Sequence, residues 1–186
     1  MNPTLSLFRV SALSLALLSS SVVVADSGAG ASAGAAQAAA FNGRYTSAAT
    51  DAEKKARKKV VEATVKGFPE AFQTLAAERL ELKTHIPSWI EIKQAGSKVT
   101  FHFEGRPAEV CTLGGSVKGK DPEGKDATFE ARSSGDTLVQ SVTTEDGKRV
   151  NTIKVLPDGS LKLAVELSSV NFKTPIRYTL SFAKAK

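Results

Sequence analysis

Downstream of Pro87, apolar and polar residues alternate. Val99, Phe101 and Phe103 share one parity, and Thr100, His102 and Glu104 the other. The same period sets Leu161, Leu163, Val165 and Leu167 against Lys162, Ala164, Glu166 and Ser168. It also sets Ile176, Tyr178, Leu180 and Phe182 against Arg177, Thr179 and Ser181. Successive side chains of a strand point to opposite faces, so each segment is a strand with one apolar face. Between such segments stand Gly96-Ser97, Gly135-Asp136, Asp146-Gly147 and Asp158-Gly159. Glycine tolerates the positive φ of a tight turn, and tight turns join antiparallel neighbours. The spacing predicts strands over 88–95, 98–104, 107–113, 126–133, 137–144, 149–156, 160–169 and 176–184. A short strand at 43–48 precedes them, and Ser116-Val117-Lys118 is a weak additional one. Unpaired sheet edges invite aggregation and closure removes them. The expected fold is therefore mainly β, an antiparallel up-and-down meander, closed into a barrel of about 8–10 strands or left as a curved open sheet packed on two helices.

Between the first strand and Pro87 the apolar spacing lengthens to about 3–4 residues, the helical period. Thr50 or Asp51 can cap a helix over about 51–66, with Ala52, Ala56, Val60 and Ala63 or Thr64 on one face. Gly67 ends it. Pro69 opens a second helix over about 69–83, where a missing N–H costs nothing, with Phe72, Leu75, Ala76, Arg79 and Leu80 along one stripe.

The N-terminal segment has a different pattern. Arg9 is followed by the apolar run Val10–Leu18, three serines and Val22-Val23-Val24-Ala25. A short charged stretch, an apolar core and small residues at −3 and −1 form a secretion signal over 1–25, cleaved between Ala25 and Asp26. The serines leave too few consecutive apolar residues for a spanning helix of ~20, so no transmembrane segment is expected in the mature chain. No cysteine lies near the cleavage point to be lipidated. Residues 26–40 are nearly all Ala, Gly and Ser, the composition of a flexible spacer. That leaves residues 41–186 of the 186-residue chain as a single domain, exported to the periplasm or secreted.

Composition adds exclusions. One cysteine forbids an internal disulfide. His85, His102 and Cys111 sit on different elements and lack the spacing of a zinc site, so neither a metal nor another cofactor is expected. Gly119-Lys-Asp-Pro-Glu-Gly124-Lys125 starts like a phosphate loop but continues with Asp126, without the magnesium-binding hydroxyl. Gly30-Ala-Ser32-Ala-Gly34 matches a nucleophile elbow but lies in the spacer, with no strand before it. No catalytic motif stands in the context its chemistry needs, and a non-enzyme is expected. The formal charge is +6, or +5 once Arg9 is removed, and a net +3 is concentrated in residues 51–66. There Lys54, Lys55, Arg57, Lys58 and Lys59 are either a solvated helix face or a contact for an anionic membrane surface. Export argues against nucleic acid as the partner of this charge.

The order of elements resembles the intracellular fatty-acid-binding proteins, relatives of the lipocalins in the calycin group. Gly43-Arg44-Tyr45 stands where those proteins carry Gly-x-Trp, and Thr144–Lys148 and Pro157–Leu163 are similar to their late hairpins. The resemblance spans residues 41–184 and implies a barrel with a helical lid that touches membranes. The family's carboxylate-binding Arg-x-Tyr of the last strand is absent, because Arg177 and Tyr178 are adjacent and face opposite ways. The function implied is an exported binding protein for an apolar or amphipathic small molecule. Tyr45, Trp89, Phe101, Phe103, Phe129 and Tyr178 are the candidate ligand contacts. The other reading is a structural or interaction module, an inhibitor or envelope accessory, whose barrel is filled by side chains.

Overall fold

The computed structural model describes residues 41–185. The signal, its Ala25–Asp26 cleavage site and the spacer lie outside the described residues. Strand β1 (Gly43–Ser47) leads into helices α1 (Asp51–Val65) and α2 (Glu70–Lys83). Nine strands follow: β2 (Trp89–Ala95), β3 (Lys98–Phe103), β4 (Glu109–Thr112), β5 (Ser116–Lys120), β6 (Asp126–Ser134), β7 (Thr137–Thr144), β8 (Gly147–Val155), β9 (Leu161–Ser169) and β10 (Ile176–Lys184). The weak segment at 116–118 is thus a full strand, β5, although most of it is exposed.

All ten strands form one antiparallel sheet ordered β4-β3-β2-β1-β10-β9-β8-β7-β6-β5. β1 pairs with both β2 and β10, which brings the two ends of the domain together and curls the meander into a barrel. Closure stops at one seam. β4 and β5 follow each other in sequence yet share no ladder, and the Gly114 N–H donates instead to the Ala131 carbonyl of β6 at 2.9 Å. β4 and β5 are the two edges left at the seam, and Lys118 and Lys120 on β5 discourage its pairing with another chain.

The inward parity is apolar. Ile90, Ile92, Val99, Phe101, Ile153, Leu161, Leu180 and Phe182 are each no more than about 1% exposed. Burying one such side chain contributes ~1.5–3 kcal/mol, so the barrel interior is the core of the molecule.

α1 begins with a capping box. Thr50 Oγ1 accepts from the Glu53 N–H at 3.2 Å, and Glu53 Oε2 accepts from the Thr50 N–H at 2.9 Å. The buried face of α1 is not the one expected. Ala52, Ala56 and Ala63 are exposed, while Arg57 and Val61 are buried and Val60, Thr64 and Val65 partly so. A valine removes more apolar area from water than an alanine, so the valines decide the rotation. The stripe expected on α2 splits likewise. Ala76 and Leu80 are buried, but Phe72 and Leu75 are 58% and 47% exposed.

Candidate functional site

The turns at one end of the barrel are tied into a ring. The end of α2 is the hub. Lys83 pairs with Glu123 of the β5–β6 turn at 2.8 Å, and its carbonyl accepts from Arg106 of the β3–β4 turn at 2.9 Å. Lys125 pairs with Asp146 of the β7–β8 turn, whose carbonyl accepts from the Val170 N–H after β9. Between the helices, Phe68 meets Phe172 of the β9–β10 turn edge to face, with ring centroids 6.3 Å apart. This end is taken as the barrel's mouth, and the end of α2 is tied into it through Lys83.

Just inside lies a cavity of about 30 Å³, lined by Lys83, His85, Pro87 and Arg106 from the mouth and by Phe103, Arg149, Asn151 and Tyr178 from the wall. Beside it the apolar interior is broken by a polar cluster. Glu109 opens β4 and is 4% exposed. Arg149 Nη2 donates to both its carboxylate oxygens at 2.5 and 2.6 Å, and Gln140 Nε2 donates to Oε2 at 2.6 Å. Asn151 Nδ2 in turn donates to Gln140 Oε1 at 2.8 Å. Arg149 stacks its guanidinium 5.8 Å from the Phe103 ring, and its Nε is buried with no hydrogen-bond partner.

These groups share the interior because of register. Gln140 has the parity of Leu138 and Val142, Asn151 that of Ile153, and Arg149 that of Asn151. On β4, Glu109 lies opposite Phe101 and Cys111 opposite Val99, so both point inward, while Val110 faces solvent. Burial pushes the Glu109 carboxyl up to about 7, against the pull of Arg106 and the Gln140 amide. Burial and then the Glu109 charge push the Cys111 thiol up to about 12. Burial also raises the Tyr178 phenol to about 12, so it stays protonated as a donor at the cavity wall.

Of the aromatic candidates, Phe103 and Tyr178 line the cavity. Tyr45, Phe101 and Phe129 also face inward but belong to the core, and the Tyr45 hydroxyl donates to the Phe41 carbonyl at 3.1 Å. Trp89 does not belong with them. Ile90 and Ile92 take the inward parity of β2, which places Trp89 on the outer face, edge-on to His102 with Arg44 over its ring at 4.1 Å.

The basic run also divides. Lys54, Lys55, Lys58 and Lys59 are exposed along α1. Arg57 is a correction: it is 7% exposed and turned toward α2. Its Nε donates to the Thr84 carbonyl at 2.8 Å, its Nη2 to Thr84 Oγ1 at 3.0 Å, and it pairs with Glu81 at 2.7 Å. The carbonyl at the end of α2 is buried and needs a donor, and Arg57 supplies it. His85, His102 and Cys111 are kept apart at the mouth, the outer face and the interior. Among the described residues no helix is long and apolar enough to cross a membrane.

No protein-family model matches the chain, and no curated protein sequence does. Solved structures do match. Lipid binding protein 8 of Caenorhabditis elegans, in its apo form, is similar at a TM-score of 0.50 and 14% identity, over 79% of this chain and 96% of that one. Fatty-acid-binding protein 1 of Echinococcus granulosus is similar at a TM-score of 0.50 and 12% identity, over 80% of this chain and 99% of that one. The ten-stranded antiparallel barrel with two helices after its first strand therefore has the fatty-acid-binding-protein fold.

Proposed function

We propose that the protein is an exported carrier that takes a small amphipathic molecule into the barrel, polar end at the cluster just inside the mouth. The observation that carries this reading is the placement of Arg149, Glu109, Gln140 and Asn151 beside the cavity. A buried ion pair is often no more stabilising than well-packed apolar residues of the same volume. A barrel filled for rigidity alone has no need of one, whereas a guanidinium with a free Nε is a ready partner for a ligand's polar end. The names of the two neighbours, a lipid binding protein and a fatty-acid-binding protein, agree with it.

The second reading, a filled interaction module, has its own observation. A cavity of about 30 Å³ has room for about one or two waters, and ligand sites usually need 300–1,000 Å³. The carrier reading therefore requires the mouth to open, with Lys83 releasing Glu123 and Arg106 and with the Phe103 side chain moving aside. Titration with N-phenyl-1-naphthylamine separates the two. A carrier takes it up saturably near 1:1 and releases it to a competing lipid. A filled barrel shows no saturable uptake.

Lys54, Lys55, Lys58 and Lys59 would bring the carrier to anionic membranes, each contributing ~1 kcal/mol close to the surface. Replacing all four by Gln should weaken binding to phosphatidylserine vesicles, and binding that ignores salt and the substitutions would refute the contact. Export is checked by the mature N-terminus, expected at Asp26.

A further inference from the structure

We propose that Glu109 is the carrier's internal competitor: it occupies the seat on Arg149 that an anionic ligand headgroup takes, and the exchange is coupled to the uptake of one proton. This rests on the carrier reading above and goes beyond it, because it assigns the ligand's charge and the residue that selects for it.

The geometry is that of an occupied anion seat. Both oxygens of Glu109 accept from a single nitrogen, Nη2 of Arg149, and Oε2 also accepts from Gln140. This is the pattern of a carboxylate, since a protonated acid would present a donor to those N–H groups. Arg149 Nε carries no bond, so the guanidinium is engaged at one corner only. A headgroup arriving from the cavity meets Arg149, Asn151 and Tyr178 on its wall, and to bond Nη2 of Arg149 it must displace Glu109.

Two anions cannot share one buried cation without cost. When the headgroup takes Arg149, Glu109 keeps the Gln140 amide but loses its ion pair. The other charged groups bearing on it are Arg106 of the β3–β4 turn, bonded to the Lys83 carbonyl, and Asp121 of the β5–β6 turn, whose charge adds to the repulsion. From β3 it faces Phe101, and along β4 Cys111, which stays a neutral thiol. Burial has already pushed the carboxyl up to about 7. With the headgroup's negative charge beside it and its ion pair gone, Glu109 binds a proton from solvent, which leaves the site with one positive and one negative charge, as before.

The test uses two probes with the same ring system. 8-Anilinonaphthalene-1-sulfonate keeps its charge at every pH used, so it cannot carry the proton itself. N-phenyl-1-naphthylamine lacks the sulfonate. Above pH 7.5 the free protein holds Glu109 ionised and the sulfonate complex holds it protonated. Linkage then weakens sulfonate binding as pH rises from 7.5 to 9, by up to about tenfold per pH unit. Binding of the neutral probe stays flat. Glu109→Gln removes both the competitor and the proton, so the sulfonate binds at least tenfold more tightly at pH 8.5 with no slope.

Calorimetry of the wild-type chain in buffers of different ionisation enthalpy counts the same proton without any substitution, and about one per sulfonate is expected. A flat wild-type profile with no proton taken up overturns the exchange but leaves the carrier reading intact, provided the neutral probe still binds. A slope that persists in Glu109→Gln also overturns it. If neither probe binds saturably, the carrier reading fails and takes this inference with it.

Discussion

Replacing Arg57 by Met keeps most of the aliphatic stem and removes the guanidinium that joins the helices. The loss can be worked from the contacts. Two hydrogen bonds from a charged donor to the fully buried Thr84 disappear, at 2.8 and 3.0 Å. Such bonds contribute ~1.5–3 kcal/mol each, and a buried carbonyl left without a partner costs ~1–3 kcal/mol. Removing the arginine also relieves its own burial, so about 3 kcal/mol is the expected net loss. The Glu81 contact adds under ~1 kcal/mol, because that carboxylate is mostly exposed.

With an m-value of about 2 kcal/mol/M for urea, the unfolding midpoint should fall by ~1.5 M. The assay is urea denaturation followed by circular dichroism and by Trp89 fluorescence in parallel. Arg57→Lys should recover only part of the loss, since an ammonium cannot reproduce the paired bonds. Thr84 follows the mouth hub Lys83, so Arg57→Met should also speed N-phenyl-1-naphthylamine uptake. A midpoint shift under ~0.5 M, or a Glu81→Gln variant as damaged as Arg57→Met, would refute this account of the helix pair.

Gly147→Ala should destabilise by ~2 kcal/mol or more, because its Cβ would stand 2.2 Å from the Ser168 carbonyl oxygen. Gly159→Ala has open space and meets only the strain of φ +79°, about 1 kcal/mol, and urea midpoints of the pair check the order. Cys111 should not react with a thiol reagent at pH 8 until the chain is unfolded, as burial predicts; prompt labelling of the native protein would mean that the interior opens freely. Burial pushes the Glu53 carboxyl up, but bonds from Lys162, Ser181 and the Thr50 backbone hold it down to about 2. A depressed carboxyl stabilises above its ordinary value of 4.5 and loses that contribution as pH falls toward 2. Wild-type stability should fall across that window, and Glu53→Gln should flatten part of the fall.

Much of the barrel was legible because alternation and turn glycines are local signals. The ladders from β6 to β10 follow from turns two to six residues long and a two-residue period. The seam was not legible, since whether β4 meets β5 depends on how ten strands curl together. The face of α1 was misread where alanines were counted as equal to valines, whereas on α2 the alanine Ala76 is buried and the larger Phe72 and Leu75 are exposed. Trp89 was read as a candidate ligand contact with the other aromatics, although its neighbours Ile90 and Ile92 already claimed the inward parity.

The polar cluster was missed for the opposite reason. Glu109, Gln140, Arg149 and Asn151 look like surface residues by type, and only strand parity shows them to be internal. Gln140 between Leu138 and Val142, and Asn151 beside Ile153, were signals available in the sequence. Glu109 was harder to find. In its strand Val110 is the more apolar residue, and only the pairing of Phe101 with Glu109 reverses the choice.

A ligand that enters the barrel seats beside Arg149 in the carrier proposed above. The most direct measurement is a heteronuclear NMR titration of the full chain with 8-anilinonaphthalene-1-sulfonate at pH 7. One saturable site is expected, with the largest shifts at Arg149, Asn151, Tyr178 and Phe103 and smaller ones at Lys83 and Arg106. Shifts confined to the outer faces of the helices and strands, or none that saturate, would contradict it.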